Sequence, residues 1–98
     1  MNKIVTISLL VGLGASTLLA DGASLYKGCV GCHGASGEKV ALGKSKVIKD
    51  MTKAELESSL LGYQAGTYGG VMKGLMKSQV GSMSNKEIDA LSMYIATF

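Results

Sequence analysis

Proline and tryptophan are both absent from the 98 residues, and the chain holds one histidine, one phenylalanine and two cysteines. Each shortage excludes something. With Cys29 and Cys32 as the whole cysteine complement, no disulfide framework can staple the fold. With His33 as the single histidine, a zinc site built from two ligand pairs has no second pair. Without large aromatics, residues 21–98 sit near the size at which one apolar core struggles, so something else must supplement it. Charge is also scarce: the net value of +3 is too small and too evenly spread to argue for nucleic acid. Neither an alternating strand pattern nor an internal repeat is present.

What is present is concentrated in Cys29-Val30-Gly31-Cys32-His33, a C-x-x-C-H run of the kind on which haem is covalently attached. Thiols at this spacing can each add to one vinyl group of the same porphyrin, giving two thioethers, and the histidine that follows is held where its imidazole can coordinate the iron from the proximal side. A bare C-x-x-C also serves dithiol oxidoreductases, but that fold is built on βαβ units, and no such alternation appears here. Haem attachment is the leading reading, and a buried porphyrin would supply the missing core. Most of the 14 glycines lie beyond residue 20, which suits a chain that wraps closely round a flat ligand.

The beginning of the chain points the same way from an independent direction. Lys3 gives a short basic start, Ile4 to Ala20 carries no charge, and Ala15, Ser16 and Ala20 are small, as in a secretory signal. The stretch lies at the short end of what spans a bilayer, roughly 17 residues, and Gly12 and Gly14 interrupt it. Residues 1–20 are therefore expected to be a cleaved signal peptide, with an uncleaved anchor as the alternative, and residues 21–98 one exported, periplasmic domain. Export would ordinarily oxidise a cysteine pair to a disulfide, a fate that thioether formation removes.

The domain reads as short helices joined by loops. A first helix is expected over about Asp21 to Val30, putting Leu25 and Cys29 one turn apart on the same side. Gly34 to Asp50 reads as a long loop. Thr52-Lys53-Ala54-Glu55 and Ser84-Asn85-Lys86-Glu87 both match the capping box and mark helix starts. The first of these helices is expected to run to about Leu61 and stop at Gly62. The last should run nearly to the chain end, with Ile88, Leu91, Ile95 and Phe98 as its apolar stripe and Tyr94 at the margin. Between them a short helix is expected around Val71 to Met76, entered through Gly66-Thr67-Tyr68-Gly69-Gly70.

With one histidine, the natural sixth iron ligand is a methionine sulfur. Met51 and Met83 each precede a capping-box residue, with Leu56 and Ile88 where the partner of a hydrophobic staple stands. Met93 projects with Lys86 and Asp89, away from the stripe. Met72 and Met76 remain, four apart on one helical face. Spacing leans toward Met76, which lies nearer the helix end, without deciding between them.

Three segments, DGASLYKGCVGCHGA from Asp21, GYQAGTYGG from Gly62 and LSMYIA from Leu91, resemble the short bacterial cytochrome c553 type within the class I monohaem cytochromes c. The similarity runs over essentially all of residues 21–98, with the motifs in the family's order. It implies an all-α class I cytochrome c fold whose first and last helices cross near the haem, Leu25 packing toward Leu91 and Tyr94. It also implies one covalent haem c on Cys29 and Cys32, His33 as proximal and Met76 as distal axial ligand, and Met72 as no ligand. Many class I cytochromes use a proline carbonyl to accept the proximal histidine's second N–H; lacking proline, this chain leaves that acceptor to a backbone carbonyl near Ala41 to Gly43, and Val47 stands where some relatives carry proline.

The function expected from all this is a soluble one-electron carrier, monomeric and not an enzyme. It would meet redox partner proteins transiently at an exposed haem edge, with Lys27, Lys73 and Lys77 as candidate rim residues. The competing reading is a haem enzyme or gas sensor, peroxidase-like, with a labile sixth ligand; a dithiol oxidoreductase is the more distant one.

Overall fold

The computed structural model describes residues 21–43 and 45–98. The expected leader, residues 1–20, lies outside them. Among the described residues there are helices and turns but no strand: α1 (Gly22–Tyr26), α2 (Val30–His33), α3 (Lys53–Ala65), α4 (Lys73–Val80) and α5 (Asn85–Ile95), with 3-10 turns at Ala41–Gly43 and Ile48–Asp50 between α2 and α3.

The expected single helix over Asp21 to Val30 is two. Asp21 caps α1 by accepting from the Ala23 amide, and the helix tightens when the Cys29 N–H donates to Tyr26, three residues back, at 2.8 Å. From Cys29 the chain restarts, His33 N–H donating to the Cys29 carbonyl at 2.9 Å. Gly28 sits in the break, where a low helix propensity makes the tightening cheap. The kink sets the C-x-x-C-H run on a turn of its own.

Both capping boxes form. Thr52 accepts from the Glu55 amide while Glu55 reaches back to the Thr52 amide, and Ser84 and Glu87 do the same. The expected stop at Gly62 is overturned: α3 continues to Ala65 and ends at Gly66, in the left-handed region at φ 78°. The Thr67 N–H donates to Gly62 and the Gly66 N–H to Tyr63, the double bond pattern of a Schellman ending. Gly62 serves another purpose, since a Cβ there would lie 2.6 Å from Cβ of Tyr68, which folds back over the helix. The short helix is also displaced from the expected Val71 to Met76, beginning at Lys73 and running to Val80.

The core forms where α1, α3 and α5 meet: Tyr26, Leu56, Leu60, Val80, Ile88, Leu91 and Ile95 are buried together, with Leu25, Cys29, Met51, Met76, Met83, Tyr94 and Phe98 packed against them. The expected stripe on α5 is thus the buried face, and the staple methionines Met51 and Met83 pack on the core beside Leu56 and Ile88. Met93 is 52% exposed, as its position on the helix requires. Tyr26 joins Tyr94 and Phe98 in an edge-on aromatic cluster, with centroids 5.0 to 5.8 Å apart. A Cβ on Gly22 would meet the Ala90 carbonyl oxygen and the Tyr94 Cβ, so α1 and α5 cross at a distance only glycine permits.

Candidate functional site

α2 is short, but it holds His33 firmly. The residue is 6% exposed, and burial pushes the imidazole pKa down, which favours the neutral form that binds metal. Its Nδ1 is buried with no hydrogen-bond partner among the described residues, so the carbonyl expected from Ala41 to Gly43 does not accept from it. Cys29 is half-buried and Cys32 exposed, and they form no disulfide. Burial raises the Cys29 thiol pKa, and Cys32 beside it raises it further. An attacking thiol of a dithiol oxidoreductase needs the opposite shift.

These residues open onto a cavity of about 230 Å³, whose walls include Cys29, Cys32, His33, Tyr63, Met72 and Met76. A smaller cavity of about 50 Å³ shares Cys29, His33, Tyr63 and Met76 with it and reaches the core at Leu60, Val80 and Leu91. Met76 therefore lines both spaces and packs on the core, whereas Met72 lines only the larger and is 37% exposed. Met51 also lines the smaller cavity, which its staple position did not suggest. Around the mouth, Leu42, Val71, Met72 and Leu75 are exposed apolar groups beside Lys73. A buried imidazole, two thiols and a thioether sulfur around one apolar opening form a donor set suited to iron porphyrin.

Compared with known proteins, residues 19–98 match the sequence model of the family described as Cytochrome c. The chain is a class I cytochrome c of the c-553 type. It is 43% identical over 82 residues to cytochrome c-553 of Nitratidesulfovibrio vulgaris, covering 84% of this chain and 80% of that protein. Identity to cytochrome c-553 of Desulfomicrobium norvegicum is 40% over 78 residues, 79% of this chain and 95% of the relative. Cytochrome c-553 of Helicobacter pylori is 33% identical over 97 residues, 99% of this chain and 98% of the relative. The cytochrome thus has the all-α class I fold, binds haem c covalently and works as a haem-based electron carrier rather than an enzyme.

Sequence reasoning did not anticipate Tyr63 in the cytochrome's cavity wall. It stands on the last turn of α3, its ring packed edge-on to Tyr68 with centroids 5.1 Å apart, and burial raises its pKa. The signal was present: Leu56, Leu60 and Tyr63 follow helical spacing, a stripe that a stop at Gly62 cut short.

Proposed function

We propose that the cytochrome is a soluble, monomeric periplasmic carrier whose haem is attached through Cys29 and Cys32, with His33 and Met76 as the axial ligands, and that residues 1–20 are the signal that exports it. The observation that carries the ligand assignment is the meeting of Cys29, His33 and Met76 on both cavities. Met72, more exposed and on the larger cavity alone, has no comparable claim.

Bound there, haem supplies one reversible electron at iron. The chain's own residues do the rest. Cys29 and Cys32 fix the porphyrin so that it stays through every cycle. His33, whose burial favours the neutral ring, would offer a nitrogen to the iron. Met76, supported by the core, gives a soft sulfur that suits both oxidation states and closes the site to small molecules. The exposed apolar rim of Leu42, Val71 and Leu75, with Lys73 beside it, suits brief contact with a partner protein.

The test is Met76→Ala, followed by the sulfur-to-iron charge-transfer band of the oxidised protein. The band should vanish, and carbon monoxide should then bind the reduced variant rapidly. A retained band would move the ligand to Met72, and rapid carbon monoxide binding by the unmodified protein would favour a haem enzyme or gas sensor.

A further inference from the structure

α4, which carries Met76, is the least secured helix of the site. Its N-cap residue, Met72, makes no side-chain capping bond, the chain enters it past Gly69 and Gly70, Gly74 lies within it, and Val80 is its one buried residue. A helix of this kind opens locally before the rest of the fold does. At its end the backbone offers little more: the Lys77 carbonyl accepts from the Gly81 N–H at 2.7 Å and the Val80 carbonyl from the Met83 N–H at 3.0 Å, both within the same short segment.

None of those bonds ties the segment to another helix; one side chain on α3 does. Gln64, on the last turn of α3, donates through Nε2 to the carbonyl oxygen of Val80 at 2.9 Å and to that of Met83 at 2.8 Å. Both amide hydrogens are therefore used on the segment that ends α4 and leads into the Ser84 cap of α5. Val80 and Met76 are four apart on one helical face and line the smaller cavity together with His33. Holding Val80 holds Met76.

We propose that Gln64 is a positioning residue for the axial methionine: its amide clamps the C-terminal end of α4 to α3 and so keeps the Met76 sulfur from leaving the iron. Gln64 lines neither cavity that contains His33, so it acts through α4 alone. The inference rests on the assignment of Met76 as ligand.

Imidazole added to the oxidised holoprotein at pH 7 tests it, because imidazole binds only when the thioether departs, and its affinity measures that opening. Gln64→Leu removes the donors. Gln64→Glu keeps nearly the same shape but points a carboxylate, an acceptor, at two carbonyl oxygens. Both should raise imidazole affinity about tenfold, or ~1.4 kcal/mol, within what two net hydrogen bonds supply. Covalent haem content and far-ultraviolet dichroism should remain those of the parent protein. Gln64→Glu also keeps the experiment open if Gln64→Leu fails to mature. Affinity within about twofold of the parent in both variants overturns the proposal, as does an effect of Gln64→Leu that Gln64→Glu lacks, which would mean that volume matters and donation does not. A lowered urea midpoint with unchanged imidazole affinity makes Gln64 merely structural and also overturns it. Met76→Ala, measured in parallel, separates the two readings. If its charge-transfer band persists, ligand assignment and clamp fall together; if the band is lost while both Gln64 variants are silent, only the clamp falls.

Discussion

Tyr26 shows how a single side chain holds the haem-binding turn in place. It is 2% exposed, and its hydroxyl donates to the Gly34 carbonyl at 2.5 Å, tying α1 to the residue directly after His33. Tyr26→Phe leaves that carbonyl only the longer bond from the Gly37 N–H, at 3.3 Å, and should cost about 0.5–1.5 kcal/mol in urea unfolding of the holoprotein. The same phenol gives a pH dependence. Burial is the main cause raising its pKa from 10.0 to about 12. Because the folded value lies above the unfolded one, the stabilisation from the neutral phenol is complete below pH 10 and is lost as pH climbs toward 12. Urea midpoints taken between pH 9 and pH 12 should fall in the parent and fall less in Tyr26→Phe; parallel curves would contradict this. Residue by residue, the sequence made some of the site plain and hid the rest. Cys29, Cys32 and His33 stood out because covalent haem attachment needs those types at that spacing, and the structure brings all three to one cavity; Met83 and Met93 line neither cavity, as helix geometry suggested, whereas Met51 lines the smaller one. Met76 and Met72 could not be separated by period alone, since residues four apart share a face; what distinguishes them is depth against Leu60, Val80 and Leu91, which only the tertiary fold supplies. The lack of a partner at His33 Nδ1 was equally hidden, because whether a backbone carbonyl reaches it depends on the path of a loop with no periodic signal.

At the scale of the helices, starts were easier to read than ends. Thr52 and Ser84 announce their helices because side chain and backbone satisfy each other over four residues, a purely local matter. A glycine announces less. Gly62 and Gly66 look alike in sequence, yet Gly66 takes the left-handed conformation while Gly62 stays helical to let Tyr68 approach. Gly28 was passed over as a break because its effect depends on the turn that follows. Helix α4 offers a direct test of glycine's cost. An added Cβ at Gly74 meets nothing within 4 Å, and its φ is not positive. Gly74→Ala should therefore stabilise the helix by about 0.5–1 kcal/mol. Slower hydrogen exchange at the α4 amides is the measurement that checks it, and unchanged or faster exchange would show that glycine is needed there for a contact the helix makes with haem. The Lys53–Asp89 ion pair, 2.7 Å long, links α3 to α5, but both side chains are over two-fifths exposed, so the crossing rests on the buried stripe instead.

The whole molecule joins a small apolar core to a cofactor that completes it, and its surface decides which proteins it meets. Leu42, Val71 and Leu75 around the cavity mouth are exposed, and on the docking surface proposed above they would supply contact area without strong affinity, which suits a carrier that must leave after each transfer. Direction then has to come from charge. Lys27, Lys73 and Lys77 are exposed, and Lys73 lines the cavity itself. Positive groups so placed draw an anionic reactant toward the site and repel a cationic one, over a range set by the Debye length, ~30 Å at 0.01 M salt and ~3 Å at 1 M. Replacing all three by alanine should therefore have opposite effects on two small oxidants. At 0.01 M salt, oxidation of the reduced cytochrome by hexacyanoferrate(III) should slow by about tenfold, and oxidation by tris(phenanthroline)cobalt(III) should quicken. At 1 M salt the parent and the variant should converge for both, since the lysines then act only at contact. Stopped-flow rates over that salt range make the comparison. Equal slowing of both oxidants, with no dependence on salt, would mean that the substitutions had disturbed the haem itself, and rates that do not change at all would take these lysines out of the docking surface.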